Sequence, residues 1–119
     1  MKNKWIIIGA VFGFLGVAIG AFGAHALKQY LTPETTETFK TGVQYHLIHA
    51  VVILVIGFFN NQKYSLSAYF FSFGIILFSF SLYIYSITGN TSFAIITPFG
   101  GVCFLAGWLT VLIQSLRKA

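Results

Sequence analysis

The sequence predicts an all-α fold, an integral membrane four-helix bundle with left-handed packing, and three observations carry that prediction. Of the 119 residues, 57% are hydrophobic, 18% aromatic and only 8% charged, whereas a soluble domain has about a quarter of its residues charged. Four stretches, 5–27, 42–59, 66–87 and 92–116, are long and apolar enough for a hydrocarbon core that takes about 20 residues per helix. Small residues recur along three of these stretches at helical spacing, the pattern by which helices pack in lipid. The chain therefore reads as one transmembrane domain over 1–119.

The first span runs from Trp5 to Leu27 without a charge. Its leading lysines and the Ala24-His25-Ala26 triplet imitate a secretory signal, but a signal core is about 7–15 residues long and this run is far longer. Gly9, Gly13, Gly16, Gly20 and Gly23 are spaced four, three, four, three, which at about 100° per residue puts them on one narrow face. That face is expected to meet protein, and the neighbouring bulky stripe of Ile8, Phe12, Leu15, Ile19 and Phe22 to meet lipid.

The second helix is predicted to start outside the membrane. Thr32-Pro33-Glu34 supplies an N-cap, a proline at the first helical position and an acid in the first turn, and no breaker but Gly42 follows. In the third span Ser65, Ser72, Ser79 and Ser86 recur every seven residues, a period that implies left-handed packing along a seam of small hydroxyls. In the fourth, Gly100, Cys103, Gly107 and Thr110 continue the small-residue theme. There Thr97-Pro98-Phe99-Gly100-Gly101 is expected to kink the helix and free a carbonyl near mid-membrane. Cys103, the lone cysteine, reads as a small apolar packer.

Four spans put the N-tail, the 60–65 loop and the C-tail on one side with Lys2, Lys4, Lys63, Arg117 and Lys118; the other side has Lys28 and Lys40, offset by Glu34 and Glu37. The bias predicts cytoplasmic termini. The net charge of +5 is scattered over helix ends, so the partners it suits are membrane lipids with anionic headgroups and not nucleic acid.

Polarity inside the spans gathers in Gln44-Tyr45-His46-Leu47-Ile48-His49-Ala50. His46 and His49 share a helix face with Gly42, Ile53 and Ile56, because residues three and four apart are neighbours. All three histidines are expected at one membrane level near the outer surface, with His25 on the side of its helix opposite the glycines. Three roles fit them. Neutral rings with Gln44 and Tyr45 would pin the hairpin by hydrogen bonds, which is the preferred reading. His25, His46 and His49 would instead make a metal site, or a proton or small-ligand site of the kind an ionisable group in the membrane suggests.

Absences narrow the function further. The chain has no Asp, its acids are Glu34 and Glu37 alone, and no Lys or Arg lies within a span. A Ser-His pair would lack an orienting acid, and no phosphate-binding glycine loop or Cys-x-x-Cys occurs. No enzyme is expected and no cofactor is called for.

GAFGAHAL at 20–27, FKTGVQYHLIHA at 39–50 and TPFGGVCFLAGW at 97–108 resemble the small four-span membrane family of bacterial YgdD and YwdK proteins, a domain of unknown function. The resemblance covers nearly the whole chain. It implies a bacterial inner or plasma membrane location and a shared centre of His25, Gln44, Tyr45, His46, His49, Pro98, Gly100 and Gly101. The expectation is a non-enzymatic membrane component that packs with itself as a homo-oligomer or with a membrane protein partner. The alternative is a small-ligand, metal or proton site built from His25 and His49, with Pro98 exposing a carbonyl.

Overall fold

The computed structural model of the protein describes residues 3–117; Lys2 and Lys118, both assigned above to the cytoplasmic side, lie outside the described residues. Four helices long and apolar enough to cross a membrane are present: α1 (Lys4–Ala26), α2 (Pro33–Phe59), α3 (Gln62–Thr88) and α4 (Thr91–Leu116). Local chemistry sets their ends. Asn3 caps α1 by accepting from the Trp5 amide at 3.0 Å. Thr32 and Thr35 form a reciprocal capping box ahead of Pro33, so α2 starts where the cap signal predicts. Its 27 residues reach about 40 Å at about 1.5 Å each, more than a hydrocarbon core of about 30 Å, and the surplus is the polar first part.

The turns are short. Asn60 takes the left-handed conformation at φ 56° and Asn61 already caps α3, so the expected 60–65 loop shrinks to its first two residues. Gly89, at φ 68°, and Asn90 alone separate α3 from α4. Such turns force antiparallel neighbours, and packing runs in chain order: α1 on α2, α2 on α3, α3 on α4. The result is a slab of 51 × 26 × 17 Å. Its flanks are α1 and α4, with 11% and 17% of their spanning windows buried against 39% for α2 and α3. Trp5, Ile53, Ile56, Ala68, Phe71, Ile75 and Phe104 fill the centre, drawing on all four helices.

Small residues make the seams, but not all of those expected. On α1, Gly9 lies against Leu54, Gly16 against Leu47 and His46, Gly20 against Val43 and Gly23 against Phe39. A β-carbon on Gly13, by contrast, would meet nothing within 4 Å. The contact line passes through Gly9, Gly16 and Gly20, and Gly13 lies about 40° to one side of it. Phe12 lies about 60° to the other side, and with Ile8 it packs on the core. The bulky stripe is therefore split: Ile8 and Phe12 turn inward onto the core, and Leu15 and Phe22 face outward. Phe14 is as exposed as Phe22, and Val17 and Val11 follow.

The α3–α4 seam also departs from the serine prediction. Ser72 and Ser86 bond carbonyls of their own helix, Ser65 accepts weakly from the Trp5 indole at 3.4 Å, and buried Ser79 has no partner among the described residues. Three hydroxyl pairs cross between α3 and α4: Ser67 with Thr110 and Ser81 with Thr97, both at 2.7 Å, and Tyr64 with Ser115 at 3.1 Å. Between these bonds Phe71 fills the space over Gly107, Phe104 that over Gly74, and the Phe78 backbone that over Gly100. Pro98 is accommodated within one continuous helix, seven residues from its start.

Candidate functional site

The inward face of α2 carries Gly42, His46, His49, Ala50, Ile53 and Ile56, all buried, as the spacing predicts. Helical geometry thus delivers two imidazoles into a space where every polar group needs a protein partner. His46 Nε2 lies 2.7 Å from the Phe12 carbonyl, and its Nδ1 lies 2.8 Å from the Tyr83 hydroxyl. A carbonyl only accepts, so Nε2 carries the hydrogen and Nδ1 accepts from Tyr83. In His49 the pattern is reversed: Nδ1–H donates to the Tyr45 carbonyl at 2.7 Å, while Nε2 accepts from the Trp108 indole N–H at 3.0 Å.

Aromatic rings close around both. His46 meets Phe12, Phe80 and Tyr83 edge-on or tilted, with centroids 5.5–6.0 Å away. His49 stacks on Phe104 at 3.8 Å and 10°, and the Tyr45 ring lies nearly parallel to it at 6.1 Å. His46 thus ties α2 to α1 and α3, and His49 ties α2 to α4. Chemically this leaves little to offer a ligand, since each ring is neutral with one nitrogen donating and the other accepting. A metal would have to displace the Tyr83 or Trp108 hydrogen bond, because neutral imidazole binds through its free lone pair.

The remaining predicted residues scatter. His25 is exposed and lines a depression with Ala26, Lys28 and Gln29. Among the described residues no three His, Cys, Asp or Glu are grouped so as to hold a metal. The set of His25, His46 and His49 is therefore not assembled, for a simple reason: α1 packs through its glycine face, and His25 sits on the other side. Gln44 is exposed on the outward side of α2. Tyr45, His49 and Pro98 do come together, lining a groove of about 480 Å³ between α2 and α4 with Phe78, Phe104 and Trp108. Sequence reasoning missed Tyr83, Trp108 and the Phe12 carbonyl. A signal existed for Trp108, since an indole about two turns inside a span is removed from the interface where tryptophan usually sits, and its N–H then needs an internal partner.

Residues 19–101 match the model of the family described as "Protein of unknown function (DUF423)", a stretch that holds His25, His46, His49, Tyr83 and Pro98. The chain is 36% identical to the UPF0382 membrane protein YwdK of Bacillus subtilis, over 95% of this chain and 96% of that protein. It is also 36% identical to the UPF0382 inner membrane protein YgdD of Escherichia coli K12, over 98% and 93%, and 35% identical to a UPF0382 membrane protein of Haemophilus influenzae, over 99% and 98%. No solved structure matches. With four helices long and apolar enough to cross a membrane and similarity along nearly its full length to these membrane proteins, the chain is a multi-pass membrane protein that belongs to the DUF423 family.

Proposed function

We propose that the protein is a non-enzymatic component of the bacterial plasma membrane, a compact helical unit that packs with itself or with a membrane partner, its histidines serving as internal fasteners. One observation carries this reading: both ring nitrogens of His46 and of His49 are engaged by protein groups. A ring arranged to take a metal, a proton or a substrate keeps one nitrogen open, and these do not. The absence of carboxylates from the spans supports the same reading, as ion coupling and hydrolysis both lean on them. The bare flanks of α1 and α4 are the surfaces offered for association. Lys4, Lys63 and Arg117 gather where α1 begins, α4 ends and α2 meets α3, and Glu34 and Glu37 at the far end, which supports cytoplasmic termini.

The test separates fastening from ligation. Glutamine keeps one donor and one acceptor but binds metal poorly and carries no titratable proton. His46→Gln and His49→Gln are expected to retain most thermal stability in detergent, while His46→Leu and His49→Leu lose it. Metal analysis of protein purified without chelator should find zinc and copper well below one per chain. Stoichiometric metal, lost in the glutamine variants while the fold persists, would falsify the proposal.

A further inference from the structure

We propose that the groove between α2 and α4 is a binding site for one acyl chain of an anionic phospholipid, drawn from the leaflet that meets Lys63 and Arg117. The groove has two sections that share Trp108. The one near the chain's C-terminal end is about 260 Å³, walled by Val52, Val55 and Val111, with Phe59, Tyr64 and Ser115 at its mouth. The deeper one, beyond Trp108, is the 480 Å³ space over Tyr45 and His49.

Size selects the occupant. From Ser115 to Trp108 is seven residues, about 10 Å of helix axis, and the cavity there is about 260 Å³. A helix about 10 Å across fills roughly 800 Å³ over that length, and a single hydrocarbon chain far less. Length agrees too. One leaflet's chains reach about half of a hydrocarbon core of about 30 Å, so a chain entering at Ser115 passes Trp108 and ends in the deeper section. Both sections are lined mainly by aliphatic and aromatic carbon, and two of the polar atoms beside them, His49 Nε2 and Trp108 Nε1, are bonded to one another. The interior thus suits hydrocarbon, with the Tyr45 hydroxyl its one unbonded side-chain polar group among the described residues.

Charge selects the headgroup. At the mouth the Tyr64 hydroxyl bonds Ser115 Oγ at 3.1 Å, the Lys63 ammonium lies over the Tyr64 ring, 5.4 Å from its centroid, and Arg117 ends α4 two residues beyond Ser115. The acidic side chains of the chain, Glu34 and Glu37, are at the opposite end of α2, so no acidic side chain stands beside these cations. A phosphodiester with net negative charge complements them, and the hydroxyl pair marks the depth at which headgroup gives way to chain.

The chain's two tryptophans give a direct probe. With Trp5→Phe, Trp108 becomes the sole emitter, and its quenching is read in vesicles of phosphatidylcholine mixed with phosphatidylglycerol, one or the other brominated in mid-chain. Brominated phosphatidylglycerol should occupy the site at least fivefold more readily than brominated phosphatidylcholine, since a basic residue near a membrane surface contributes about a fivefold factor. Lys63→Gln with Arg117→Gln should remove the preference. Val55→Trp, read with Trp108 in the same vesicles by the loss of preference, should fill the groove and remove it with both cations intact. Quenching in proportion to mole fraction for both lipids overturns the proposal, as does a preference that survives Val55→Trp, which would mark general attraction around the helix ends. Shielding of Trp108 from both lipids also overturns it, in favour of a second copy on the groove. On the unmodified chain, native mass spectrometry with equal amounts of the two lipids should retain a phosphatidylglycerol adduct; equal retention counts against the site.

Discussion

The buried imidazoles show how much one residue can be asked to hold in a membrane. A Trp108→Phe substitution keeps the ring but removes the N–H that His49 Nε2 accepts, leaving a buried acceptor unpaired. Such a loss costs about 1–3 kcal/mol, and it should appear as a lowered unfolding midpoint on titration with a denaturing detergent. Glycines divide by what surrounds them. A β-carbon at Gly57 would lie 2.6 Å from the Ile6 amide nitrogen, and one at Gly100 would strike the Phe78 backbone. Alanine at either position is expected to cost about 1–3 kcal/mol as overpacking. Alanine at Gly13, with open space beside it, is expected to be neutral or to gain a few tenths through helix propensity. The placement of His46 and His49 on one inward face was legible in their spacing. Their partners were not, because they lie on other helices and no period within α2 points to Tyr83 or Trp108.

Between elements, α3 and α4 close like interlocking teeth, with rings over glycines and three hydroxyl pairs along the seam. A double-mutant cycle on Ser67→Ala and Thr110→Ala should give a coupling of about 0.6 kcal/mol, the usual size of a hydrogen bond between membrane helices. A cycle pairing Ser67→Ala with Thr97→Ala, which do not touch, should give none. This seam also marks where pattern reading fails. α3 carries two serine series with compatible period, 65-72-79-86 and 67-81. In water the polar series would face out and the apolar one in, but in lipid both sides of a helix are apolar and periodicity loses its sign. The glycines opposite make the choice: Gly100 and Gly107 admit the chain of α3 that bears Ser67, Phe71, Phe78 and Ser81. The same ambiguity explains Phe12, which shares a stripe with Phe22 yet packs on the core beside His46.

As a whole the molecule is a sheet-like row of helices, with its outer members half bare. The number of spans, their order and the cap at Thr32 were all legible, because bilayer thickness and backbone capping act on the local sequence alone. The open arrangement was not, since it depends on which seams close. Sidedness has its own test. In a Cys103→Ala background, a cysteine at Asn90 is expected to react with an impermeant maleimide added outside intact cells, whereas one at Asn61 should react only after permeabilisation. The reverse result would invert the topology.

Two residues, Gly89 and Asn90, join α3 to α4, and this has a consequence for biogenesis. With the termini on the cytoplasmic side, as proposed above, only that small uncharged crown has to traverse the lipid to seat the hairpin, so α3 and α4 can enter as a pre-paired unit. The α1–α2 link instead drags Lys28, Glu34, Glu37 and Lys40 through the same barrier, at the cost that charges meet in hydrocarbon. The chain's dependence on insertion machinery is therefore concentrated in its first half, with the second half assembling against α2 once that helix is in place.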